Sequence, residues 1–262
     1  MVAGPDAQQR QPRPPAEGLR RFGLRATLAA VALLLVAVPF AALLVEVRRS
    51  GPLLEVDRSV AETLHAAVRD RDALLLVLEV VTAIGTFLGL GMFVVVGAAV
   101  LWRARRTRLL AFLLVTAVGG WLLNNGVKLA VGRQRPTFED PLATAHGLSF
   151  PSGHAMNSVS VLGALLLVFL PAVAPPRRTP VFAATVLLAV SIGFTRLALG
   201  VHYLTDVVAG FILGLAWLSA CVALFSVWRV ERGRGPVDPL EGLEPEAGPA
   251  LKDAAEGVRP ER

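Results

Sequence analysis

The chain has 262 residues, 54% hydrophobic and 18% charged, with 26 Lys and Arg against 20 Asp and Glu for a formal charge of +6. Its apolar residues stand in long blocks rather than at amphipathic spacing, with a mean hydropathy of +0.60, which excludes an ordinary soluble core as their destination. The basic residues cluster at block ends without interleaved aromatics, so nucleic acid is not an expected partner, and the single cysteine, Cys221, excludes an intrachain disulfide or a cysteine-rich zinc site.

Residues 1–22 are rich in Pro, Gln, Gly and Arg and predict a disordered tail, followed by a membrane domain over 23–230. Crossing about 30 Å of hydrocarbon takes about 20 apolar residues. The block from Ala26 to about Val47 meets that length and is long for a signal-peptide core, so it predicts a retained spanning helix. Between Arg48 and Asp72, Val56, Val60, Leu64 and Val68 recur four apart, the pattern of an interfacial amphipathic helix. The apolar run Ala73–Trp102 is interrupted around Gly85, which places the start of the second span at about Ile84. Further blocks run from about Leu109 to Val131, His154 to Val173, Val181 to Leu199 and Tyr203 to Trp228.

The expected fold is therefore an all-α polytopic membrane protein with six spanning helices. Arginines gather before the first helix, after the second (Arg103, Arg105, Arg106, Arg108), after the fourth (Arg177, Arg178) and after the sixth (Arg229, Arg232, Arg234). This bias puts both termini in the cytoplasm and the protein in the plasma membrane. Residues 231–262 alternate Pro, Gly, Glu and Arg and predict a second disordered tail.

Three polar clusters fall on the opposite, extracytoplasmic face, where ionisable groups at membrane depth usually face a functional cavity. The first is Lys128 with Arg133, Arg135 and Pro136. Lys128 alone reads as a snorkelling lysine, but Arg135 adds a guanidinium fork that matches phosphate oxygens, and Arg133 is either a further ligand or an interfacial charge. The second is Pro151-Ser152-Gly153-His154, at the start of a helix. Its plainer reading is an ordinary cap in which Ser152 satisfies backbone donors; its chemical reading is an anion cradle of outward amides with His154 as a proton donor. The third is Arg196 with His202 and Asp206. A helix starting near Val201 puts the last two at i and i+4, where the carboxylate either stabilises the helix or orients an imidazole as nucleophile. Together the clusters supply cations, amides, an acid and a nucleophile, the parts of phosphoryl transfer, and no acidic cluster stands there to hold a metal.

Lys128-x6-Arg135-Pro136, Pro151-Ser152-Gly153-His154 and Arg196-x5-His202-x3-Asp206 resemble the three signatures of the type 2 phosphatidic acid phosphatases, over about residues 55–228. The resemblance implies that His202 attacks phosphorus to form a phosphohistidine, Asp206 orients it, and His154 protonates the leaving group and then activates water. It implies that Lys128, Arg135, Ser152, Gly153 and Arg196 bind the phosphoryl oxygens, with no metal or other cofactor. Substrates of the family include phosphatidate, phosphatidylglycerol phosphate and polyprenyl pyrophosphate. The chain departs from the family where Thr195 replaces the usual serine before the third-motif arginine. Two rivals stay open: a phosphotransferase or lipid-remodelling enzyme with the same site, and a non-catalytic transporter or scaffold for anionic lipid.

Overall fold

The computed structural model describes residues 37–49, 51–231, 235 and 241–257, which form helices and loops with no strand among them. The tail 1–22, and the predicted first span up to residue 36, lie outside the described residues. From Pro39 onward the chain forms one compact unit.

In chain order the helices are α1 (37–49), α2 (Leu53–Val68), α3 (Asp72–Ile84), α4 (Phe87–Arg103), α5 (Thr107–Val131), α6 (Gly153–Ala172) and α7 (Pro175–Ala198), α8 (Leu204–Glu231) and α9 (Gly248–Ala255). Four of these, α5 to α8, are each long and apolar enough to cross a bilayer, and α3 with α4 make a fifth span if the 45° bend between them lies within one crossing. The described residues thus hold four or five spans, against the six expected.

The second expected span differs in its start. Rather than opening at Ile84, the apolar run forms α3, stops at Gly85, and restarts at Phe87. Thr86 causes the restart: its hydroxyl donates to Ala83 O and accepts the Gly89 N–H, capping α4. The expected apolar stripe of α2 is met only in part. Val68 is buried and Leu64 packs against a buried cluster, but Val56 is exposed, and the rest of the buried face carries Asp57, Ala61 and His65. Two of those are polar, and partners on other elements satisfy them: Asp57 pairs with Arg133, and His65 stacks on Phe138 at 4.1 Å while its Nε2 meets Asp140 O at 2.8 Å.

The crossing of α6 and α8 brings the second and third motifs together. Gly210 and Gly214 face α6 so closely that a Cβ on either would fall 2.6 Å from a backbone oxygen, of Ser152 and Met156 respectively. Small residues at this four-residue spacing let two helix backbones approach without side chains between them. The same approach lets the Ser152 N–H donate to Asp206 O at 2.9 Å. Along α6, a single π-helical turn over Ser158–Leu162 separates two α-helical stretches.

Of the expected disordered tail over 231–262, residues 241–257 are ordered, while 232–234, 236–240 and 258–262 lie outside the described residues. The ordered segment folds back to the far end of the bundle, where Ala247 and Leu251 join Leu101, Leu109, Phe112 and Val168 in one buried cluster. Leu243 N–H donates to Leu167 O, and Arg229 pairs with Glu246 at 2.7 Å. The composition hides a few well-placed apolar residues that suffice once the helix ends offer them a surface.

Candidate active site

The third motif is shaped by the turn between α7 and α8. Gly200 takes a left-handed φ of +67°, which lets the backbone reverse so that the N–H groups of Val201 and His202 both donate to Arg196 O. α8 begins at Leu204, later than the expected Val201, yet His202 Nδ1 still lies 3.3 Å from Asp206 Oδ2. The carboxylate is buried and heavily used. Oδ2 also accepts the Ser149 hydroxyl and the Tyr203 N–H, while Oδ1 accepts Arg133 Nη1 at 2.6 Å.

His202 is 2% exposed. Arg135 Nη1 lies 2.9 Å from its Nε2, and a guanidinium only donates, so Nε2 carries the lone pair and Nδ1 the proton directed to Asp206. Burial pushes the His202 imidazolium down to about 4, against the opposing pull of Asp206. The ring is therefore a neutral base at ordinary pH. Burial also lowers Arg135 below its usual value and raises Tyr203 above its own.

Arg135 holds its place through carbonyls: Nε donates to Gly147 O, Nη2 to His146 O and Nη1 to Val201 O. Gly132, left-handed at φ +71°, ends α5 just after Lys128, whose ammonium donates to Leu148 O at 2.7 Å and Ser149 O at 3.1 Å. Its third N–H remains for a ligand. Arg196, 7% exposed, donates through Nη1 to Thr82 at 2.7 Å. His154 lies within electrostatic reach of Arg196, His202, Arg135 and Lys128. All three motifs thus converge on one place.

Three buried atoms there have no hydrogen-bond partner: Ser152 Oγ, His154 Nε2 and Arg196 Nε. Buried polar atoms are usually satisfied, and such orphans cost free energy unless a ligand completes them. Ser152 makes no side-chain cap to its helix, which removes the plainer reading of that motif. Next to it, a Cβ on Gly153 would stand 3.1 Å from Asn124 Oδ1.

Arg133 is taken up by partners within the protein. Its side chain is 8% exposed, bridges Asp57 and Asp206 at 2.7 and 2.6 Å, and stacks on Tyr203 at 4.3 Å. It is a structural partner of the Asp206 carboxylate rather than an interfacial charge. Sequence reading also missed Ser149, Thr82 and Gly85. Gly85 alone left a signal, as a break in an apolar run; it faces His154 so closely that a Cβ would lie 2.9 Å from the ring.

The PAP2 superfamily model matches residues 108–229. Phosphatidylglycerophosphatase B of Bacillus subtilis (strain 168) is 38% identical over 145 residues, 52% of this chain and 70% of that protein. The chain belongs to the PAP2 superfamily. This PAP2 chain is also 36% identical over 123 residues to the lipid A 1-phosphatase of Rhizobium johnstonii, a match spanning 44% of the chain and 46% of that protein. Its fold resembles a crystal structure titled as the first transmembrane PAP2 type phosphatidylglycerolphosphate phosphatase from Bacillus subtilis. The TM-score is 0.67 at 27% identity, with 73% of this chain and 94% of that one covered. It is accordingly an integral membrane protein and a phosphatase of the PAP2 type, an enzyme that hydrolyses phosphate esters.

Proposed function

We propose that the protein removes a phosphate, as monoester or pyrophosphate, from a lipid whose head group reaches the extracytoplasmic leaflet, with both of its own termini in the cytoplasm. The observation that carries this reading is the set of three buried, unpartnered atoms, Ser152 Oγ, His154 Nε2 and Arg196 Nε, around an imidazole whose lone pair is already selected. A phosphoryl group supplies acceptors for the serine and arginine donors and, on the leaving oxygen, one for a protonated His154.

In this mechanism Lys128, Arg135 and Arg196 take the phosphoryl oxygens, with Ser152 and the Gly153 amide. His202 Nε2 attacks phosphorus as the bond to the lipid oxygen breaks, and His154 gives that oxygen its proton. Asp206 stabilises the charge that develops on the His202 ring. His154 then takes a proton from the water that opens the phosphohistidine. Fixed cations do the neutralising that metal ions do elsewhere, and among the described residues no three of His, Cys, Asp and Glu are arranged to hold a metal ion. A mainly apolar groove of about 370 Å³ between α4, α5 and α6, lined by Leu90, Ala117, Trp121 and Val161, would take part of the lipid tail.

The test is phosphate release by purified protein in EDTA from polyprenyl pyrophosphate, phosphatidate and phosphatidylglycerol phosphate. Release from at least one is expected, with a loss of about 10³-fold or more in His202→Ala. Turnover untouched by that substitution would remove the phosphohistidine, and turnover that EDTA abolishes would remove metal independence.

A further inference from the structure

Asp57 lies on α2, well before the 108–229 region that matches the family model, yet its carboxylate is fully buried against the catalytic end of α8. Oδ1 accepts the Thr205 N–H at 2.9 Å; Oδ2 accepts the Thr205 hydroxyl at 2.6 Å and Arg133 Nη2 at 2.7 Å. The other arm of Arg133 donates to Thr205 Oγ1 at 2.7 Å and to Asp206 Oδ1 at 2.6 Å. The guanidinium plane is fixed by the Tyr203 ring at 4.3 Å. A carboxylate, a guanidinium and a second carboxylate thus form a closed chain ending on the group that orients His202.

We propose that Asp57 is a positioning residue for the His202–Asp206 pair, acting through Arg133 and Thr205; this rests on the phosphatase reading above. A guanidinium hydrogen-bonded to two buried carboxylates is held in place between them. Without the Asp57 charge the far arm of Arg133 loses its anchor, so the guanidinium and Asp206 are free to shift together away from His202 Nδ1, and the site loses a negative charge that offsets Arg133 as the imidazole bonds phosphorus. Thr205 adds a second route, because Asp57 holds the backbone N–H immediately before Asp206. A merely structural ion pair would lower stability and leave the chemical step alone.

The experiment compares Asp57→Asn, Thr205→Val, Arg133→Gln and the Asp57→Asn/Arg133→Gln double variant in detergent. Readouts are kcat and KM for lipid phosphate hydrolysis, inhibition by vanadate, and the thermal midpoint. Asp57→Asn, which keeps the shape and removes the charge, is expected to lower kcat about 10- to 100-fold, the usual range for an outer partner of a catalytic group. KM and vanadate inhibition should stay within about threefold, since no phosphate ligand is touched. The double variant should be no slower than Arg133→Gln alone, because the two residues act in series. Thr205→Val covers a failure of Asp57→Asn to fold, and is expected to lower kcat in the same direction without changing charge.

An unchanged kcat in Asp57→Asn, or losses that multiply in the double variant, would overturn the proposal. Should wild-type protein turn over no lipid phosphate, the phosphatase reading fails first. The rate of diethyl pyrocarbonate acylation of His202, followed by peptide mass, then decides the positioning role without any substrate: slower in Asp57→Asn supports it, equal rates reject it.

Discussion

Burial sets the working range of His202. Its imidazolium is held down to about 4, so the lone pair on Nε2 persists through the range in which a free histidine would gain a proton. Once the substrate phosphate's own second ionisation near about 6 is divided out, the remaining kcat/KM profile should stay flat as pH falls from 7 to about 5 and break near 4; a residual break at about 6.5 would show that the ring titrates as in water. The sign for folding agrees. A depressed histidine contributes stability that is complete above about 6.5 and drains as pH falls through 4. Arg135→Lys should cost about 10- to 100-fold in kcat/KM, since an ammonium cannot span the His202 nitrogen, three carbonyls and a phosphate as the guanidinium fork does. Thr195→Ser should leave kcat/KM within about twofold. The Thr195 hydroxyl donates to Ile192 O at 2.7 Å within its own helix, so it is engaged by the backbone of α7, a bond that a serine hydroxyl makes equally well. That Lys128, Arg135, His154, Arg196, His202 and Asp206 would come together was legible because their three motifs stand at the ends of long apolar blocks. Asp57 was not, since an acid on an amphipathic helix reads as solvent-facing until its partner, 76 residues on, is brought to it.

Helix placement was legible wherever membrane insertion alone decides it: the blocks ending at Val131, Val173, Leu199 and Trp228 end where α5 to α8 do within a few residues, although α7 starts at Pro175, before the expected Val181. Where local hydrogen bonding decides, the apolar pattern was silent. The bend at Gly85 and Thr86 comes from a threonine cap, and the buried stripe of α2 is set in part by the polar partners of Asp57 and His65. The meeting of α6 with α8 depends on two glycines that resemble many others in the sequence. Gly214→Leu should force the helices apart, lowering the thermal midpoint by the equivalent of about 1–3 kcal/mol. It should also cut kcat, because His154 and His202 ride on the two sides of that contact. A variant with lowered stability and full kcat would show that the crossing supports the fold but not the site.

At the scale of the molecule, the residues of the three motifs gather at one end of α5 to α8 and the C-terminal segment closes the other. Leu251→Ala, in the cluster with Leu101 and Phe112, should cost about 2–5 kcal/mol of stability while leaving KM unchanged; a thermal scan in detergent and a Michaelis curve check both. That segment escaped sequence reading because a membrane end offers a packing surface that composition cannot anticipate. The chain of Asp57, Arg133 and Asp206 has a further effect when the formal charges of the whole site are counted. Its two carboxylates and one guanidinium leave one negative charge, and the three inner cations Lys128, Arg135 and Arg196 bring the balance to about two positive charges, or three once His154 carries the proton it gives to the leaving oxygen. A phosphomonoester above its second pKa of about 6 carries two negative charges, so the dianion offsets most of the site's charge in a medium where residual charge is costly. Inorganic phosphate should accordingly inhibit more strongly at pH 7.5 than at pH 5.5, as the monoanion gives way to the dianion that offsets more of it.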